Sequence, residues 1–197
     1  MSEPLSIDLF VEDRAHEDFL RPLLLRLAAE SAKIVSVRIR IARGGHPRAL
    51  AELVSYQRVV EKGGLPAPDL LVVAVDANCK TFAKARTAVT AEVRPEFTDR
   101  AIIACPDPHI ERWYLADPQS FREVVGVRPR VRKRKCERSL YKNTLADAVV
   151  EAGHPPTLGG IEFAAELVEA MDLYRAGKAE RSLKHFLDDA TAQLKRR

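Results

Sequence analysis

Cysteine is scarce in this chain. Cys79, Cys105 and Cys136 are the only three in 197 residues, and no two share a C-x-x-C spacing. That scarcity argues against a zinc ribbon or a disulfide framework and fits a reducing compartment, so a cytoplasmic protein is expected. Long apolar runs are also missing. None approaches the ~20 residues of a membrane span, and no membrane partner is expected. The opening Met-Ser-Glu-Pro-Leu-Ser has neither a basic nor an apolar signal region, so no signal peptide is expected. There is no G-x-G-x-x-G, Walker A or G-x-S-x-G, which leaves dinucleotide, P-loop and α/β-hydrolase readings without their motifs. Internal repeats are absent as well.

Composition is that of a globular protein, 46% hydrophobic and 30% charged. The length suits one domain, or one with a small extension. Charge is unevenly spread. Residues 128–138 hold seven basic groups and one acid, a local +6; since the whole chain is +4, the remainder is −2. One basic segment on a mildly acidic body points to a polyanion such as DNA or RNA, contacted through Arg130, Arg132, Lys133, Arg134 and Lys135. The plain alternative is a solvated loop that binds nothing.

The chain is organised around the run Leu70 to Val75, six apolar residues with three Val and no Gly or Pro. A run this short and β-branched reads as a strand buried on both faces, as in a parallel sheet. It ends in Asp76-Ala77-Asn78. Ligands of open α/β sheets sit beyond the carboxyl ends of the strands. Alternation would point Asp76 and Asn78 the same way, towards one ion. The competing reading is that Asp76 caps the following helix.

Around this strand the pattern alternates. Leu5 to Val11 reads as a strand ending in Glu12-Asp13, followed by a helix over 14–30 with Asp13 as its cap. Ile34 to Ile41 reads as a half-exposed strand near an edge, with Arg38 and Arg40 facing out. Gly44-Gly45 makes a turn into a helix over 47–61 that stops at Gly63-Gly64. A weaker helix covers 80–93, a strand covers 101–105, and a helix lies within 108–117. This order implies an α/β fold: a mostly parallel, four-stranded sheet with helices on both faces, over residues 1–117. Residues 118–197 read as a helical C-terminal extension packed on it. A helical turn is expected near 121–125 and helices over 140–152, 160–175 and 179–194, with Gly153 and Gly177 as stops for the first two of these.

Three predicted strands are followed by acids: Glu12, Asp76 with Asn78, and Glu111. Mg²⁺ is typically held by one or two carboxylates plus substrate phosphates, and such a metal site serves phosphoryl transfer. His16 and Glu17, in the opening turn of the first helix, and His109, two residues before Glu111, are placed to support the same mouth. The other histidines read as surface or hydrogen-bonded groups. Trp113 reads as a packing anchor beside Ile110, Tyr114 and Leu115.

A Glu after the first strand and Asp76-x-Asn78 after a later one resembles the TOPRIM domain of topoisomerases, primases and OLD-family nucleases. The stretches FVEDRAHEDFLRPLL, VVAVDAN and CPDPHIERWYLAD together resemble an uncharacterised bacterial TOPRIM-related family akin to OLD-family nucleases. So does the tail, YKNTLADAVVEAGHPPTLGGIEFAAELVEAMDL followed by SLKHFL. The resemblance implies a TOPRIM/Rossmann-like fold. It makes Glu12 a metal ligand or general base and Asp76 a metal ligand, with Mg²⁺ or Mn²⁺ as cofactor. The implied activity is a metal-dependent nuclease, with a role in bacterial phage defence as a further implication; whether a partner protein controls it is left open by the sequence. The sequence departs from that pattern at Asn78, where an Asp is expected. The departure supports a second reading, a catalytically degenerate module that binds nucleic acid or a partner. A haloacid-dehalogenase-like phosphatase, with Asp76 as nucleophile, would need an Asp at position 78 and ranks last.

Overall fold

In the computed structural model, the described residues are 3–42, 46–132, 136–137, 139–155 and 157–197, without the side chains of 46 and 47. The expected Gly44-Gly45 turn and Lys133, Arg134 and Lys135 of the basic segment lie outside the described residues.

Four parallel strands form one sheet in the order β2-β1-β3-β4. They are β1 (Leu5–Val11), β2 (Val35–Ile41), β3 (Leu70–Ala74) and β4 (Ala101–Ala104). β1 pairs with β2 over its whole length and with β3 from Ile7↔Leu70 to Val11↔Ala74. All five residues of β3 are buried, as the unbroken apolar run requires of a strand covered on both faces.

The pleat divides the core in two. Ile7, Leu9, Val11, Leu70, Val72, Ala74, Ile102 and Ala104 pack on one face. α1 (Arg14–Glu30) lies over β1 and β2 and α9 (Arg181–Arg196) over β4, while α5 (Pro118–Val125), α6 (Leu140–Glu151), α7 (Ala164–Ala170) and α8 (Leu173–Ala179) extend the same core outward. Phe10, Leu71, Val73, Val75, Ile103 and Cys105 pack on the other face, against α2 (His46–Glu61) and α3 (Phe82–Ala91). The C-terminal helices thus share one hydrophobic core with the sheet rather than forming a second one. The short α4 (Glu111–Tyr114) sits at the seam: Tyr114 Oη donates to the Ala15 carbonyl at 2.8 Å, and Trp113 Nε1 donates to Ser182 Oγ at 2.9 Å. No helix among the described residues is long and apolar enough to cross a membrane.

Three expectations differ from the structure. Arg38 and Arg40 do not point away from the protein. Asp8 of β1, opposite Arg38 in the β1–β2 ladder, is fully buried, and a buried carboxylate needs partners. Arg38 Nε and Tyr56 Oη donate to it, and Arg40 Nε lies 3.6 Å away. The expected helix over 160–175 is also broken. Gly160 takes a left-handed φ of +96°, Ile161–Phe163 form a 3₁₀ turn, and α7 ends where Met171 turns extended. Asp172 then caps α8 through the Arg175 N–H. Gly177 does not stop a helix; it lies inside α8, where a Cβ would sit 3.4 Å from Lys184 Cβ, so its small size lets α8 and α9 approach closely.

Candidate active site at the ends of β1 and β3

From β1 the chain crosses to β2 on one side of the sheet, and from β3 it crosses to β4 on the other. The adjacent ends of β1 and β3 therefore form a topological switch point, where open α/β sheets leave a crevice. Glu12 follows β1 directly, and Asp76 lies two residues beyond β3. Their backbones stay in register: Glu12 N–H donates to the Ala74 carbonyl at 3.1 Å, and Asp76 N–H donates to Glu12 Oε2 at 3.2 Å. The exit of β4 is tied to this edge, since the Ala77 and Asn78 N–H groups donate to the Pro106 and Pro108 carbonyls at 2.8 and 2.9 Å. That link brings His109 and Glu111 to the crevice.

Asp76 is the hub. His16 Nε2 is 3.1 Å from its Oδ1, and His109 Nδ1 is 3.0 Å from its Oδ2. The other ring nitrogen of His16 is 2.8 Å from Asp13 Oδ1, which also accepts the His16 backbone N–H at 3.2 Å and so caps α1. A fully buried imidazole between two carboxylates must donate from both nitrogens, which makes it imidazolium. Burial alone would lower its pKa. The charge of Asp76 and hydrogen bonds to Asp13 and Asp76 outweigh burial and push it up to about 10. The hydrogen bond to Asp76 likewise raises His109, against the opposing effect of burial.

The carboxyls divide into two kinds. Burial opposes ionisation of Asp76, but His16 and His109 hold its pKa below the usual range. Asp13 is also lowered, its own burial outweighed by His16. Glu12 is raised, first by burial and then by the charge of Asp76. Glu111 is raised by burial, then by the charges of Asp76 and Asp13. Neighbouring carboxyls with pKa values pushed apart suit one fixed anion beside groups that exchange protons.

Other expected site residues fall as follows. Asp76 is not the helix cap, because Thr81 caps α3 by accepting the Lys84 N–H. β3 has ended before Asp76, so strand alternation does not carry on to Asn78. Asn78 instead adopts a left-handed φ of +53°, a region Asn tolerates better than most residues. Its Nδ2 donates to the Asp76 carbonyl at 3.2 Å. Glu17 is half-buried in the first turn of α1, and among the described residues no hydrogen bond ties its side chain to Asp76. Arg130 and Arg132 are exposed and share a groove of about 380 Å³ with Asp147 and Glu151 of α6. That helix begins beside the site, with Arg112 Nη1 3.4 Å from Tyr141 Oη.

Sequence reasoning misses Asp13 as a member of the site, since it reads there only as a cap. The signal is there: Asp13 and His16 are three apart on one helix turn, and such pairs meet. Among the described residues, no group of three or more His, Cys, Asp or Glu side chains is arranged to hold a metal ion. The donors at hand, Glu12 and Asp76, are hard oxygens. They fit Mg²⁺, which takes one or two protein carboxylates and keeps several waters. No family model, curated protein or solved structure matches the chain.

Proposed function

We propose that this protein is a Mg²⁺- or Mn²⁺-dependent nuclease or related phosphodiester-processing enzyme, TOPRIM-like in its arrangement, with Glu12 and Asp76 at its centre. One observation carries the reading. Two acids from separate strands meet at the switch point, with the Asp76 N–H on the Glu12 carboxylate at 3.2 Å. Asp76 is kept ionised by two imidazoles, as a metal-ligating carboxylate must be, and each of its oxygens keeps a second lone pair beyond the one facing a histidine. Glu12 and Asp76 would hold the ion, with Glu111 as a further oxygen donor at the rim. When bound, the metal supplies positive charge to the phosphoryl oxygens. Glu12, with its raised pKa, is suited to take the proton of the attacking water. His16 and His109 would orient Asp76. Arg130 and Arg132, with Lys133, Arg134 and Lys135, would hold the phosphates of a nucleic acid.

Asn78 favours a second reading, a catalytically degenerate nucleic-acid-binding module. Its amide is turned to the Asp76 backbone and adds no charge beside a cation. Incubation of the purified protein with labelled DNA and RNA in Mn²⁺ separates the two. Cleavage that disappears in Glu12→Gln supports the enzyme; binding without cleavage supports the degenerate module.

A further inference from the structure

A second cavity, of about 1090 Å³, opens between α3 and the start of α9. Its position ties it to the site. Asp107 on its wall is two residues before His109, Arg112 follows Glu111, and Phe82 begins the helix after Asn78. The Ala77 and Asn78 N–H groups donate to the Pro106 and Pro108 carbonyls on either side of Asp107, so the cavity wall and the loop that carries Asp76 are neighbours. On the wall, the rings of Phe82 and His185 stack with centroids 5.1 Å apart and planes 23° from parallel. Both residues are half-buried, which leaves part of this aromatic pair open to the cavity.

We propose that this cleft is a base-stacking subsite that receives an unpaired base of single-stranded nucleic acid and leads the strand to the Glu12–Asp76 centre, a proposal that rests on the phosphodiester reading above. Three features select this ligand. An aromatic pair at a cavity wall offers a π-face to a base of any identity, and only an unpaired, unstacked base can use it. At about 1090 Å³ the cavity lies at the upper end of the roughly 300–1,000 Å³ of small-molecule pockets, room enough for a nucleotide of a longer strand. Charges on the wall nearly cancel, with Asp107, Glu180 and the Asp189 that holds Arg86 set against Arg86, Arg112 and Arg181. Arg86 is held by Asp189 at 2.6 Å and Arg112 by Glu180 at 2.6 Å, while Arg181 stands exposed at the rim, where a backbone phosphate would pass. Stacking, more than charge, would then supply the selectivity.

The test is fluorescence anisotropy of the full chain in EDTA, which separates binding from any chemistry. The probes are labelled oligothymidylate, labelled oligouridylate and the thymidylate strand annealed to its complement. Wild type should prefer both single strands to the duplex. Phe82→Leu, which keeps apolar bulk and removes the π-face, should weaken single-strand binding about tenfold with little change in salt dependence. Phe82→Trp should restore or tighten it. Arg181→Ala should flatten the log–log salt slope by about 0.7. Equal binding of single strand and duplex, or a Phe82→Leu variant that folds and binds like wild type, overturns the subsite. The two readings fail separately. Stacking-dependent binding without cleavage in Mn²⁺ keeps this cleft and removes the enzyme. Cleavage that is indifferent to Phe82 keeps the enzyme and removes the cleft.

Discussion

Replacing His16 with leucine tests the electrostatic core of the site. The substitution keeps the shape of a buried side chain and deletes the cation between Asp13 and Asp76. The two losses are unequal. The Asp13 side chain is 56% exposed and rehydrates, so its bond is worth at most about 1 kcal/mol. Asp76 is 13% exposed and keeps only His109, so losing a charge-assisted hydrogen bond there costs about 1.5–3 kcal/mol. His16→Leu should therefore destabilise the protein by about 2–4 kcal/mol, or lower Tm by roughly 5–15 °C at this chain length. The sign of the pH dependence follows from linkage. The folded pKa of His16, about 10, lies above an unfolded value of about 6.5. Its contribution is complete below pH ~6.5 and is lost as pH rises through about 10. Thermal and urea denaturation of wild type and His16→Leu, in chelator, should show a gap at neutral pH that closes above pH ~10. A variant as stable as wild type at neutral pH, or a gap unchanged above the folded pKa, would refute the buried imidazolium.

Asn78 offers a conformational test. Asn78→Gly keeps the left-handed turn and loses only the amide bond to Asp76, about 1 kcal/mol, whereas Asn78→Ala adds about 1–2 kcal/mol for the left-handed backbone; equal stability of the two in urea would show that the φ of +53° carries no cost. Asn78→Asp forfeits the same amide donation while adding an anion, so Mn²⁺ affinity should rise by less than the roughly tenfold expected of an unopposed charge, read by calorimetry. Arg130→Ala with Arg132→Ala should leave Tm within about 1 °C, since both are exposed, and flatten the salt dependence of nucleic-acid binding by about 0.7–0.9 for each phosphate no longer neutralised; an unchanged slope returns the segment to a solvated loop.

The sheet is legible in the sequence because its strands are short, β-branched and buried. Leu5–Val11 and Arg14–Glu30 follow the sequence pattern residue for residue, and Leu70–Ala74 sits within the expected strand. Glu12 and Asp76 are legible as a pair because a parallel sheet gathers strand ends. Pattern fails where a distant group decides the outcome. Alternation puts Arg38 and Arg40 outside, but it says nothing of an Asp8 buried one strand away. The helix expected over 160–175 breaks at Met171 and Asp172, where Asp117, 55 residues away, accepts the Asp172 N–H at 3.0 Å. At Asn78 the pattern continues the strand, whereas a left-handed turn has already redirected the chain. The Phe82–His185 stack joins two helices a hundred residues apart and leaves no local signal.

Calorimetric titration of Mn²⁺ into wild type, Glu12→Gln and Asp76→Asn addresses the proposed centre most directly. The account predicts saturable binding to wild type, weakened about tenfold or more when either carboxylate loses its charge. Wild type that binds no Mn²⁺, or binds it equally well in both variants, would contradict it and leave Glu12, Asp76 and the two histidines as a structural network alone.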